Sequence, residues 1–314
     1  MNESARLTLT NGVLEAEIAP HLGARLCRLR TLDGTDLVVP LHDWDAPEHG
    51  WPKAGAYPLI PYSNRIAHAR LEFEGATHAL APHPLDLPNT LHGHAQRCAW
   101  RTHAHDSQRA ELVLDAQACE HWPWPFEARI AFDLDMHGLN VHFALRNTGT
   151  SAMPAGLGWH PFLAIDAAST IHFDARRRWE LDDTFLPTGR TFAVEGATTL
   201  SHEAWQAQPC AIYASEWAGE ARIERDAGTV RLTAEAPFTH LVAYTPRQGA
   251  FFCLEPVSHV ANGFNFAARG IEGTGTHTLA PGASFSARTV LGWEPKREGR
   301  RAPLRFQMLE LTRS

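Results

Sequence analysis

Hydrophobic and polar residues alternate in short runs along most of this chain. In FEARIAFDLD (126–135), Phe126, Ala128, Ile130, Phe132 and Leu134 take every second place, with mostly polar neighbours between them. A two-residue period is that of a strand with one face buried and one wet. His137-Gly138 then predicts a turn into LNVHFALRN, which carries the same period. RLTLT, VLEAEIAP, RLEFEGATHAL, AELVLDAQA, ARIERDAGTVRLTAEA and HLVAYTPRQGAFFCLEP extend the pattern, and ARLCRLRTLDGTDLV reads as two strands joined by an Asp-Gly turn. Helical signals are few. SHEAWQAQ (201–208) predicts one short helix capped by Ser201. Many short strands, separated by turn signals and without a fixed-length repeat, predict an all-β protein: a large antiparallel β-sandwich with few short helices.

Three stretches break the alternation. YPLIPYSNRI (57–66) is apolar up to Asn64 and Arg65, and its prolines remove backbone donors, so it is expected to be a loop rather than a central strand. Arginine's planar fork suits hydroxyls and carboxylates, which makes Arg65 a candidate ligand contact or a structural ion pair. GWHPFL (158–163) sets His160 among groups that look buried, where desolvation lowers an imidazole pKa and a nearby carboxylate raises it. FFCLEPVSH (251–259) is a solid apolar run ending in Glu255. A buried carboxylate needs a strong partner or a task that uses its raised basicity. A fourth stretch, LHG, follows His92 with Gly93, and glycine lets the backbone come close to a ligand. Trp217 and Trp293 are candidate flat faces for a sugar ring as well as candidate core residues.

Composition narrows the class. With 314 residues the chain can bury a large core, and no composition break divides it, so a single domain over 1–293 is expected, followed by a basic and apolar tail over 294–314. Lys+Arg number 28 against 35 Asp+Glu, and no long basic run precedes position 290, which argues against nucleic acid as partner. No apolar run reaches a membrane span. Five cysteines without a CxxC pair argue for reduced thiols rather than a disulfide scaffold. The opening residues lack the basic segment and apolar core of a signal peptide, so a cytoplasmic protein is expected. The pairs His92/His94 and His103/His105 have a spacing that puts two imidazoles on one strand face, yet no further ligands stand at a recognised spacing, and no metal is expected.

The order Asn-Arg-Ile, Leu-His-Gly, Gly-Trp-His-Pro-Phe, Glu-Pro-Val-Ser-His resembles the aldose 1-epimerase (galactose mutarotase) family over about residues 10–290. The resemblance implies a galactose mutarotase-like supersandwich with an open cleft, no cofactor, and a small-molecule sugar as partner; the protein itself is expected to be a monomer or homodimer. The resemblance also implies Glu255 as general base, His160 as general acid, and His92 and Arg65 as groups that hold the sugar; Asn64, whose amide stands beside Arg65, is a further candidate sugar contact. One departure stands out. The family's sugar-binding aspartate has no counterpart near Cys210 and Ala211, and an acid follows only at Glu216. This leaves open a different sugar, a sugar phosphate held by a cluster such as Arg176, Arg177 and Arg178, or a non-catalytic sugar-binding protein on the same fold.

Overall fold

The computed structural model describes residues 6–42 and 52–296. Seventeen strands join through antiparallel pairings into one continuous sheet that folds over on itself, with three two-stranded ribbons at its margins. The Phe126–Asp135 and Gly138–Asn147 strands pair in full register, from Phe126 opposite Asn147 to Asp135 opposite Gly138. Their two-residue loop is Met136-His137, one residue earlier than the spacing predicts. Gly138 already sits in the strand with φ +133°, and a Cβ there would come within 2.4 Å of the Leu291 carbonyl oxygen. Beyond this hairpin the layer continues through Ser284–Pro295 to Gly228–Ala234.

The second layer orders Arg25–Thr31, Ala56–Leu59, Gly158–Ala164, Phe251–Val257 and His240–Thr245 side by side. The 15-residue strand Cys210–Glu224 belongs to both layers. Its first half pairs with His240–Thr245 and its second half with Gly228–Ala234, so the chain crosses from one layer to the other within one strand. Between the layers lies the main core, which includes Phe132, Phe143, Leu291, Trp159, Leu241 and Leu254. Burying an aromatic side chain such as Phe132 contributes roughly 1.5–3 kcal/mol relative to leaving it exposed.

Three local expectations are corrected. YPLIPY is not all loop, because Ala56–Leu59 is a fully buried strand paired over four residues with Gly158–Ala164. It tolerates Pro58 because its other neighbour meets it at a single pair, Leu26 with Ala56, so few ladder donors are needed there. The Asp-Gly turn after Arg25–Thr31 forms, with the Gly34 amide donating to the Thr31 carbonyl. Its second strand, however, shrinks to bridges at Asp36 and Val38. The helix spans His202–Ala207 as expected, and the Ser201 hydroxyl accepts from the Ala204 amide. A second helix, Gly263–Ala268, was not expected. The final strand continues through Pro295, and the basic tail lies outside the described residues from 297 onward.

Candidate active site

The outer face of the second layer is concave. Strand alternation sends Trp159 and Leu163 into the main core, and His160 and Phe162 to the other side. The same rule sends Phe252 and Leu254 inward, and Phe251, Cys253 and Val257 outward with Glu255 between them. Register completes the placement. Gly158 pairs with Val257 and Phe162 with Cys253, which carries His160 opposite Glu255. The His160 Nε2 lies 3.3 Å from the Glu255 Oε1, and the two residues are 6 % and 2 % exposed.

Burial acts on the two groups in opposite directions. Desolvation disfavours each charged form, pushing the Glu255 carboxyl up to about 8 and His160 down to about 3. Lys53 adds a smaller effect to both, favouring the carboxylate and disfavouring the imidazolium. The pair therefore holds one proton between its two groups near neutral pH. Among the described residues the His160 Nδ1 and the Glu255 Oε2 are buried without a hydrogen-bond partner. Tyr57 stacks on His160 with ring centroids 4.7 Å apart, and the Arg25 guanidinium covers that tyrosine at 4.5 Å. Neither was singled out in the sequence; Tyr57 lies on the strand beside the His160 strand and Arg25 on the next one.

Above the pair lies a cavity of about 360 Å³, within the usual range for small-ligand sites. Asn64, Arg65, His92, His160 and Glu255 all line it, so the four separate motifs meet at one place. The Asn64 conformation is left-handed (φ +56°), which asparagine tolerates. Its Oδ1 accepts from the Tyr213 hydroxyl at 3.2 Å and from the Arg65 amide at 2.9 Å. The Asn64 amide donates to the His92 Nδ1 at 3.3 Å, which leaves the His92 proton on Nε2. Behind this loop the Ser63 amide donates to the His259 Nε2 at 3.1 Å, tying Tyr-Ser-Asn-Arg to the Glu255 strand's continuation.

Arg65 is held by Asp86 through a two-pronged contact, Nε to Oδ2 at 2.8 Å and Nη2 to Oδ1 at 2.9 Å. The sequence reading missed Asp86, along with Lys53, one of only two lysines in the chain. An acid inside the proline-rich HPLDLPN was the available signal for Asp86.

Several candidates fall elsewhere. Trp217 is packed in the main core, its indole donating to the Glu220 carbonyl at 3.0 Å, and it is not among the residues lining the cavity. Its strand crosses between layers there, so the indole faces the interlayer space. Trp293 packs partly buried against the same core, with Arg225 over its ring. Gly93 serves a close approach to protein rather than ligand, since a Cβ would sit 2.2 Å from the Ile60 carbonyl oxygen. That contact fastens the His92 turn to the YPLIPY strand. Of the arginine run, Arg177 and Arg178 bind the Thr191 and Thr198 hydroxyls, and none of the three lines the cavity. At the departure from the family pattern, Ala211 faces the cavity and the Cys210 thiol turns toward the Ala243 carbonyl. Glu216 is exposed.

The His92/His94 pair does not share a strand face, because His92 has φ +64° and breaks the alternation. His94 instead meets the Cys98 and Cys119 thiols at 3.3 and 3.9 Å. Among the described residues one group brings three ligand-type atoms within 4.8 Å of one another: His160, Cys253 and Glu255. All five cysteines are free thiols. A second concavity of about 360 Å³ lies over the outer face of the first layer, but its Arg109, Arg129 and Arg288 are paired with Glu111 and Glu235.

Residues 5–292 match the family model for aldose 1-epimerase. The chain belongs to the aldose 1-epimerase family. Among its relatives is the uncharacterized protein YphB of Escherichia coli (strain K12), 27 % identical over 256 residues, which are 76 % of this chain and 83 % of YphB. YihR of the same organism is also uncharacterized and is 30 % identical over 58 % of this chain and 56 % of its own length. The fold is that of a galactose mutarotase-like protein from Clostridium acetobutylicum, with a TM-score of 0.79 at 21 % identity over 92 % of this chain and 94 % of that one. It is also that of the aldose epimerase homologue from C. elegans, with a TM-score of 0.77 at 18 % identity over 93 % and 99 % of the two chains. Family membership implies a sugar as substrate, and no helix among the described residues is long and apolar enough to cross a membrane.

Proposed function

We propose that this protein is a cofactor-independent aldose 1-epimerase that interconverts the α and β anomers of a sugar. The observation that supports this best is the buried carboxyl and imidazole 3.3 Å apart at the floor of a sugar-sized cavity. In the reaction the Glu255 carboxylate takes the proton from the anomeric hydroxyl. Its O–H electrons form the aldehyde C=O, the bond from C1 to the ring oxygen breaks, and the ring oxygen takes the proton carried by His160. Rotation about C1–C2 followed by the reverse steps closes the other anomer. The chemistry needs one proton on the pair, which is the state that opposite displacement of the two groups maintains. Burial alone favours that proton on Glu255. Sugar hydroxyls at the site favour its transfer across to the imidazole, because they solvate the charged forms. Each placed proton-transfer group contributes roughly 10²–10⁴-fold.

Arg65, preset by Asp86, and His92, preset by the Asn64 amide, are the proposed sugar-holding donors, with Asn64 bracing both. Holding the hemiacetal over the pair, its anomeric hydroxyl toward Glu255 and its ring oxygen toward His160, adds to the rate through orientation. Ala211 lines the wall at the departure from the family pattern, which leaves Asp86 and Glu255 as the carboxylates lining the cavity among the described residues. This favours a substrate other than one that depends on the family aspartate. A purely sugar-binding role is disfavoured by Glu255, since a binder gains nothing from a buried carboxyl without a cationic partner at hydrogen-bond distance among the described contacts.

Proton NMR exchange between anomers of freshly dissolved pure sugars, with and without protein, tests the proposal. Faster exchange with at least one aldose is expected, and it should disappear in Glu255→Gln. Sugar binding without faster exchange across a broad panel would favour the binding reading instead.

A further inference from the structure

Proton transfer as proposed uses Glu255 and His160 and leaves Cys253 without a task. Cys253 is fully buried, two residues before Glu255 on the same strand face, and its register partner Phe162 is two residues past His160. A ring nitrogen of His160, the Cys253 sulfur and a carboxylate oxygen of Glu255 consequently lie within 4.8 Å of one another. Tetrahedral zinc, with bonds of about 2.0–2.3 Å, needs donor separations of roughly 3.2–3.8 Å. The His160–Glu255 separation of 3.3 Å already meets this. A further atom points the same way: among the described residues the Glu255 Oε2 is buried without a hydrogen-bond partner in a side chain more than nine-tenths buried, and it can share or replace Oε1 as the ligand atom.

We propose that His160, Cys253 and Glu255 form a three-ligand site for a thiophilic divalent metal, with Zn²⁺ as the best-fitting ion, and that its occupation shuts down the catalytic pair. Thiolate, imidazole and carboxylate together suit zinc and disfavour Mg²⁺ and Ca²⁺, which take all-oxygen sites. His160 and Glu255 line the cavity and Cys253 lies behind them, so the open fourth position faces the cavity, where water or a sugar hydroxyl completes the tetrahedron. Binding displaces the thiol proton and the proton shared by the pair, and the metal then occupies the atoms that would exchange protons with the sugar. The site itself is independent of the epimerase reading; only the loss of activity on binding rests on it.

Equilibrium dialysis against Zn²⁺ tests the site without reference to activity. Because Cys98 and Cys119 surround His94 and could take zinc themselves, the measurement uses both the native chain and one carrying Cys98→Ser with Cys119→Ser. One zinc should bind to the latter, and adding Cys253→Ser should weaken that binding about 10-fold or more. Where the multiple variant does not fold, Cys253→Ser in the otherwise native chain should still lose one equivalent. Co²⁺ should give tetrahedral and thiolate charge-transfer absorption that vanishes with Cys253→Ser. Zinc uptake unaffected by Cys253→Ser, or no uptake in the Cys98/Cys119 variant while it stays folded, overturns the site. Anomer exchange of the native chain and of the Cys98/Cys119 variant, each compared with its own metal-free rate, should fall with Zn²⁺ and not with Mg²⁺, and the Zn²⁺ needed for the fall should rise about 10-fold or more with Cys253→Ser. A chain that binds zinc through Cys253 but never accelerates exchange keeps the site and refutes the epimerase reading.

Discussion

The hairpin Phe126–Asp135/Gly138–Asn147 and the three strands Ala56–Leu59, Gly158–Ala164 and Phe251–Val257 bury their residues differently. The first of these hairpin strands alternates buried and half-exposed positions, because one side meets the core and the other meets water. The three strands are buried at almost every position, because one side meets the core and the other forms the floor of a covered cavity. In a β-protein with one wet face per sheet, alternation marks scaffold. A solid apolar run holding a titratable group marks a second covered face, where the cost of burial has to be offset by a function or a partner.

The sharpest way to break this contrast is at the floor. Glu255→Gln, nearly isosteric, should reduce anomer exchange by roughly 10²–10⁴-fold while near-UV circular dichroism stays unchanged; retention of full rate removes Glu255 as base. The same variant carries a pH signature. The Glu255 carboxyl holds its proton up to about 8 in the folded protein against an ordinary value of 4.5. Between those values the folded state binds more protons than the unfolded, so stability falls as pH rises through this window. Glu255→Gln should flatten that slope in denaturant titrations at several pH values. For His160 the order is reversed: its folded value of about 3 lies below 6.5, so its contribution is lost as pH falls from 6.5 toward 3. Exchange activity should decline above about 8, when the pair loses its single proton.

On the scaffold side, Phe132→Ala should cost about 3–5 kcal/mol of stability, because the fully buried ring leaves a cavity between the layers. Its effect on exchange should be small in the fraction that remains folded; a selective loss of rate there would tie the distant layer to catalysis. Asp86→Asn should raise KM by roughly 10-fold with a smaller change in kcat, since the lost charged contact positions Arg65 for binding. Steady-state kinetics separate the two, and a change confined to kcat would place Arg65 in the proton-transfer step. On the wet face of the hairpin, Glu127→Gln breaks a half-exposed pair with Arg129 and should change stability by no more than about 0.5 kcal/mol in thermal melts.

Alternation in FEARIAFDLD and LNVHFALRN was sufficient to read the hairpin, because local spacing alone decides which side chains share a face. Arg65, His92, His160 and Glu255 were legible for a different reason. Each is a polar group in a setting that should exclude it, and together their order resembles one family. Asp86 was missed because a carboxylate in a polar loop shows no conflict until the guanidinium it holds is known. Cys253 was missed because a thiol in an apolar run is ordinary. Trp217 was misplaced because aromatic residues suit core and sugar equally, and only the crossing of its strand between layers assigns it to the core.

By itself the sequence determined the strand periodicity, the all-β class and the identities of the groups that conflict with burial. These depend on neighbours one to four residues apart. What only the tertiary structure decided is which strands lie side by side and in what register. Gly158 opposite Val257 is what brings His160 to Glu255 across nearly a hundred residues of chain. Both pKa displacements follow from that burial rather than from the residue types. Long-range pairing is set by the sum of all core contacts, and no local pattern records that sum.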